Sequence, residues 1–110
     1  MEKMDAAPLL CVLKDFRDEG KGMLSFPMKG LSIAVDMAIT DRTQAVVDAL
    51  NDFVADEGGR VYLAKDALTR AEHFRAMEPR LSEWQRVRRK WDPNVKFRSA
   101  LSVRLLGDPS

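Results

Sequence analysis

Apolar residues recur along the chain with two different periods, and the change of period marks out its elements. Leu31, Ile33, Val35, Met37 and Ile39 alternate with Ser32, Ala34, Asp36 and Ala38, a period of two that predicts a strand over residues 31–39. Residues 8–17 place Leu9, Val12, Leu13 and Phe16 at helical spacing behind Pro8, which predicts a helix with Cys11 as a buried, inert thiol on its apolar side. Between them, Arg17–Gly22 reads as a charged, glycine-punctuated loop. Met23–Pro27 reads as short and extended, because Pro27 keeps Phe26 out of helical geometry.

After the strand, Asp41 or Thr43 can cap a helix running to about Glu57. Its inward stripe would be Val46, Val47, Leu50, Phe53 and Val54, with Asp48, Asn51 and Asp52 outward. Gly58-Gly59 stops that helix, and the β-branched and aromatic run Arg60–Asp66 predicts a second strand ending on Lys65-Asp66. Thr69 is a candidate cap for a short helix carrying Phe74 and Met77, ended near Pro79. Ser82 can cap a longer one with Trp84, Val87 or Arg88, and Trp91 on one core-facing side, broken by Asp92-Pro93. Ser99 opens a last amphipathic helix with Leu101, Leu105 and Leu106.

This order predicts an α+β domain: a small antiparallel sheet with helices packed on one face and a helical C-terminal tail. So few strands cannot bury two faces with their own helices. The Ser32/Ala34/Asp36 face should therefore be wet, or covered by something outside the chain.

Composition narrows the function classes. At 110 residues, the chain is expected to be a single domain spanning 1–110. Eighteen basic against 17 acidic residues give no electrostatic case for nucleic acid as a partner. The run Arg86, Arg88, Arg89, Lys90 near Trp84 and Trp91 reads as a solvated face over core tryptophans. A single cysteine excludes an internal disulfide. No apolar run reaches the roughly 20 residues of a spanning helix, and Met1–Asp5 lacks signal-peptide order. A cytoplasmic or membrane-peripheral location is therefore expected. His73, the one histidine, has no ligand-spaced companions and reads as a partly exposed helix residue without a metal.

Three segments carry a resemblance. They are Gly22–Asp36 with its Leu-Ser-Phe-Pro piece, Gly58–Asp66 (Gly-Gly-Arg-Val-Tyr-Leu-Ala-Lys-Asp), and His73–Leu81 followed by Glu83-Trp84 through Arg88-Arg89-Lys90. Together, over roughly Leu9 to Leu106, they resemble the C-terminal end of FAD-linked oxidoreductases of the vanillyl-alcohol-oxidase/aldonolactone-oxidase superfamily. Within that superfamily the decaprenylphosphoryl-ribose oxidase type is the nearest. The D-arabinono-1,4-lactone oxidases are also similar, although their His-Trp-x-Lys ending is not seen here. Mycobacterial members of the decaprenylphosphoryl-ribose oxidase type carry Asn and Cys on the strand where this chain has Ser32 and Ala34, a departure that bears on substrate choice.

The resemblance implies that the chain is a fragment, the substrate-side portion of a flavoprotein whose N-terminal FAD-binding domain is absent from it. Its sheet would cover the flavin ring. Lys65 would be the catalytic residue and, with Tyr62, would contact the FAD, while Ser32, Ala34 and Lys65 would face the substrate. Strict alternation sets Tyr62 and Lys65 on opposite sides unless the strand ends or bulges near Ala64. The expected reaction is removal of hydride from a secondary alcohol of a sugar or polyprenyl-phosphoryl sugar. Peripheral membrane association of the complete enzyme would suit such a lipid-linked substrate. The chain alone is expected to retain no FAD and to be inactive. On the residues without the resemblance, Lys65 is an exposed lysine paired with Asp66, and the chain is a non-catalytic α+β interaction module.

Overall fold

The computed structural model describes residues 8–110, save the side chain of Pro8. Two strands pair antiparallel, β1 (Pro8–Phe16) and β2 (Gly30–Met37). Four helices follow: α1 (Thr43–Asp56), α2 (Ala71–Met77), α3 (Leu81–Trp91) and α4 (Ala100–Leu106). The architecture is α+β, a small antiparallel sheet leading into a helical second half, as the pattern predicts.

The first element differs from its predicted type, since residues 8–16 are a strand and not a helix. In register, Leu10 faces Asp36, Val12 faces Ala34, Lys14 faces Ser32 and Phe16 faces Gly30; Cys11, Leu13 and Asp15 face Val35, Ile33 and Leu31. Residues directly opposite share a side of the sheet. Leu10 and Val12 therefore lie on one side, Cys11 and Leu13 on the other. Apolar residues on both sides hide the period of two and imitate helical spacing. Cys11 is exposed on the strand, not buried on a helix.

Both sides of the hairpin are open to solvent, the expected one and the one behind it. On the expected side Ser32 and Ala34 are half-buried, but Asp36 is exposed and their cross-strand neighbours Leu10 and Val12 are 57% and 38% exposed. Leu31, Ile33 and Leu13, on the other side, are 71%, 64% and 61% exposed. An apolar sheet face open to water is the feature of this fold that most needs explaining.

The helices assemble around Phe74, Leu81 and Leu105, with Leu24, Val61, Leu63, Trp84, Leu101 and Leu106 packed against them. Helix α1 is rotated from its predicted stripe. Thr43, Val46 and Asn51 are buried, while Leu50 and Phe53 are exposed. Its contact with α2 and the loop before it is largely polar. Gln44 donates to the Leu68 carbonyl (3.0 Å), Asn51 to the Thr69 hydroxyl (3.3 Å), and Arg70 to the Asp48 carboxylate (2.9 Å). Trp84 packs on the core with the Arg88 guanidinium 5.3 Å from its ring centre, but Trp91, predicted as core, is 78% exposed.

Among the candidate caps, only Ser99 acts as one. Its hydroxyl accepts from the Ser102 N–H (3.2 Å), and the Ser102 hydroxyl accepts from the Ser99 N–H (2.8 Å). Thr43 lies inside the first turn of α1, donating to the Ala38 carbonyl (2.9 Å), and Thr69 bonds Asn51 instead of a helix end. Arg42, Arg70 and Arg80 occupy the other N-cap positions without side-chain caps. Gly58 (φ 70°) follows α1 and Gly107 (φ 77°) closes α4, both in left-handed backbone that disfavours a side chain.

Candidate functional site

Residues 60–66 form no strand, and the physical reason is the lack of a neighbouring chain to pair with among the described residues. The alternation is real but serves packing: Val61 and Leu63 turn into the core, and Tyr62 stays 48% exposed. A tight turn follows, in which the Lys65 N–H donates to the Tyr62 carbonyl (2.9 Å). A second turn, Thr69 N–H to Asp66 carbonyl (2.9 Å), leads into α2. Because the chain turns between Tyr62 and Lys65, strand alternation no longer sets them on opposite sides.

Asp66 does not pair with Lys65. It is buried, and Arg104 of α4 holds it: Nη2 reaches the Asp66 carboxylate (3.2 Å), while Nη1 donates to the carbonyls of Asp66 (3.1 Å) and Thr69 (2.5 Å). The turn is thus anchored just beyond Lys65, whose ammonium is exposed and has no partner among the described residues. On the other side, the Tyr62 ring lies 5.2 Å from that of Phe26, and Phe26 meets Phe16 edge-on at 5.7 Å. Phe16 shares its side of the hairpin with Lys14 and Ser32, and with Val12 and Ala34. The aromatic row therefore runs from the sheet side bearing Ser32 and Ala34 to the turn bearing Tyr62 and Lys65.

The Tyr62 hydroxyl and Lys65 ammonium are unspent hydrogen-bond donors at the surface, suited in kind to the electron-rich edge of a flavin. They form an edge and not an enclosure. An open cavity lies instead at the hairpin end, between Phe16, Arg17, Lys29 and Leu31, away from both donors. No group of residues with metal-ligand geometry occurs among the described residues. Among them, too, no helix is long and apolar enough to cross a membrane.

His73 is buried, contrary to the expectation of partial exposure. Its Nε2 lies 2.7 Å from the Asp52 carboxylate of α1, and its Nδ1 is buried without a partner. The spacing of α1 predicts Asp52 outward but cannot show that α2 brings a ring to it. Two further residues had no predicted role although they lie inside the quoted segments. Arg60 and Arg80 both donate to the Ser25 carbonyl, at 3.2 and 2.9 Å. Their position within those segments was the only available signal.

No protein-family profile matches the chain. Over 96 residues, 87% of its length, it is 43% identical to decaprenylphosphoryl-β-D-ribose oxidase of Mycolicibacterium smegmatis, of which that match spans 21%. Over 95 residues, 86% of its length, it is 38% identical to a Streptomyces coelicolor protein designated only by its place in the mprA 5′ region, spanning 26% of it. The chain thus covers about a fifth to a quarter of the length of the curated relatives it matches. It is similar to a fragment of an oxidase.

Proposed function

We propose that this chain is the substrate-side portion of an FAD-dependent oxidoreductase that oxidises a secondary alcohol of a sugar or sugar-lipid. The likeness to an oxidase over nearly all of the chain carries the reading. The bare apolar side of the hairpin supports it, because a face built of leucine and isoleucine suits contact with the rest of a larger protein. When bound, the flavin supplies the hydride-accepting chemistry.

This chain's residues would bind and orient. Lys65 offers a cation on a flexible stem, able to hold a substrate hydroxyl or phosphate oxygen and to favour negative charge at the flavin edge. Tyr62 offers a ring already packed at a tilt against Phe26 and a free hydroxyl. Ser32, itself half-buried, gives one short hydrogen-bonding group, and Ala34 on the same side gives only room. An FAD-binding domain would be its partner.

A segment exchange tests this. The matching fifth of the Mycolicibacterium smegmatis oxidase is replaced by the 96 residues of this chain, and flavin bleaching is followed on adding the oxidase's own substrate. The expected result is a yellow protein that bleaches. A chimera that folds and holds flavin yet is never reduced, by that substrate or by other sugar-phosphate alcohols, would defeat the reading. A stoichiometric flavin complex from the 110-residue chain alone would equally count against it.

A further inference from the structure

We infer that Arg60 and Arg80 are positioning residues, a pair of guanidinium clamps that hold the Ser25-Phe26 backbone and thereby the Tyr62–Lys65 turn. The catalytic use of that turn rests on the oxidoreductase reading; the clamp does not. Each of the three segments singled out in the sequence contributes one part: Ser25 and Phe26 from the first, Arg60 and Tyr62 from the second, Glu78 and Arg80 from the third.

The geometry converges on one carbonyl. Arg60 Nη1 and Arg80 Nη2 both donate to Ser25, and Glu19 Oε1 bridges the two cations, 2.7 Å from Arg60 Nη2 and 3.1 Å from Arg80 Nη1. Arg80 is itself fixed by Glu78, whose side chain is 5% exposed. Nε meets Oε1 at 2.8 Å and Nη2 meets Oε2 at 3.0 Å. A bidentate pair of this kind sets the plane of the guanidinium before it reaches the loop. The loop is closed on itself as well. The Gly20 N–H donates to the Pro27 carbonyl (3.2 Å), and a Cβ at Gly20 would overlap the Ser25 side chain.

What the clamp fixes is the next residue. Phe26 is held between Phe16 and Tyr62, so freeing the Ser25 carbonyl would loosen the surface against which the Tyr62 ring rests. Ser25 and Phe26 are half-buried, so the two arginines that pin the carbonyl also fix the ring of the residue that follows it. Lysine would not substitute, because each arginine uses two separate nitrogens on the loop side.

Tyr62 is the only tyrosine in the chain, so 3-fluorotyrosine labelling yields one ¹⁹F resonance that reports its ring. Arg80→Gln and Arg60→Gln are expected to move that resonance toward the position of the free amino acid. Glu19→Ala, which alters an exposed side chain, should move it in the same direction by less. Arg86→Gln, at an exposed pair with Glu83, should leave it in place. Far-UV circular dichroism identifies the variants that fold. An unmoved resonance in folded Arg60→Gln and Glu19→Ala overturns the clamp, whether or not Arg80→Gln folds. In an active chimera, Arg80→Gln should lower kcat about tenfold with KM within twofold. A shifted resonance with unchanged kcat would overturn the positioning role. Because the NMR readout uses neither flavin nor substrate, an inactive chimera leaves it intact.

Discussion

Lys65 and Asp66 are neighbours in sequence with opposite fates. Asp66 is buried and tied to Arg104, whereas Lys65 is exposed and unpaired among the described residues. The structural cost of removing Lys65 should therefore be small, within about 0.5 kcal/mol as for other exposed positions. Any large effect would have to be chemical. Lys65→Ala in the segment-exchange chimera is expected to lower kcat/KM by about 10²-fold, the scale for losing one charge-stabilising donor, with an unchanged melting temperature. Unaltered turnover and substrate affinity would remove Lys65 from the site. Individual side chains such as Lys65 were legible in the sequence as chemistry, but their partners were not. Spacing says nothing of Arg104, which lies 38 positions from Asp66. It says equally little of Asp52 meeting His73 across two helices.

Among elements, the helical half was the more legible. Gly58 and Pro93 punctuate the backbone locally, so they stop helices wherever those helices pack. Serine and threonine caps depend on which residue happens to begin the helix, and there Thr69 and Ser82 misled. Ser99 did not, because it forms a reciprocal pair with Ser102. Ser99→Ala should destabilise the fold by about 1 kcal/mol, and Ser99→Gly by only a few tenths, read from denaturant midpoints. An unchanged midpoint in Ser99→Ala would mean the capping bonds contribute nothing. Strands were harder, because a strand is defined by its partner. Residues 60–66 have strand composition and no partner among the described residues, whereas 8–16 have helical spacing and pair with β2 at Pro8 and continuously from Leu10 to Phe16.

Across the whole molecule, paired charges fasten separate segments together. Glu19 is held below its ordinary value of 4.5 chiefly by its hydrogen bond to Arg60, and Asp48 below 3.8 chiefly by Arg70. Arg86 lowers Glu83 and Arg88 lowers Asp108 in the same way, while the N–H groups of Lys96 and Phe97 lower Asp92. A carboxyl depressed in the folded state stabilises it above the unfolded pKa, and that stabilisation is lost as pH falls through the folded value. Thermal melts should therefore show a decline that sets in as pH drops below about 4.5 and continues below 3.8. A melting temperature that stayed level down to pH 3 would show these pairs to be energetically idle.

The open side of the hairpin carries one more consequence, through its single thiol. Cys11 sits across from Val35 on the same side as Leu13 and Ile33. A sulfur so placed is a built-in footprint for whatever docks there. In the free chain a maleimide should couple to it at the rate of a simple peptide thiol. Once the segment is joined to a complete flavoprotein, the same reagent should find it shielded, and full labelling of that assembly would mean the hairpin meets its partner by some other surface.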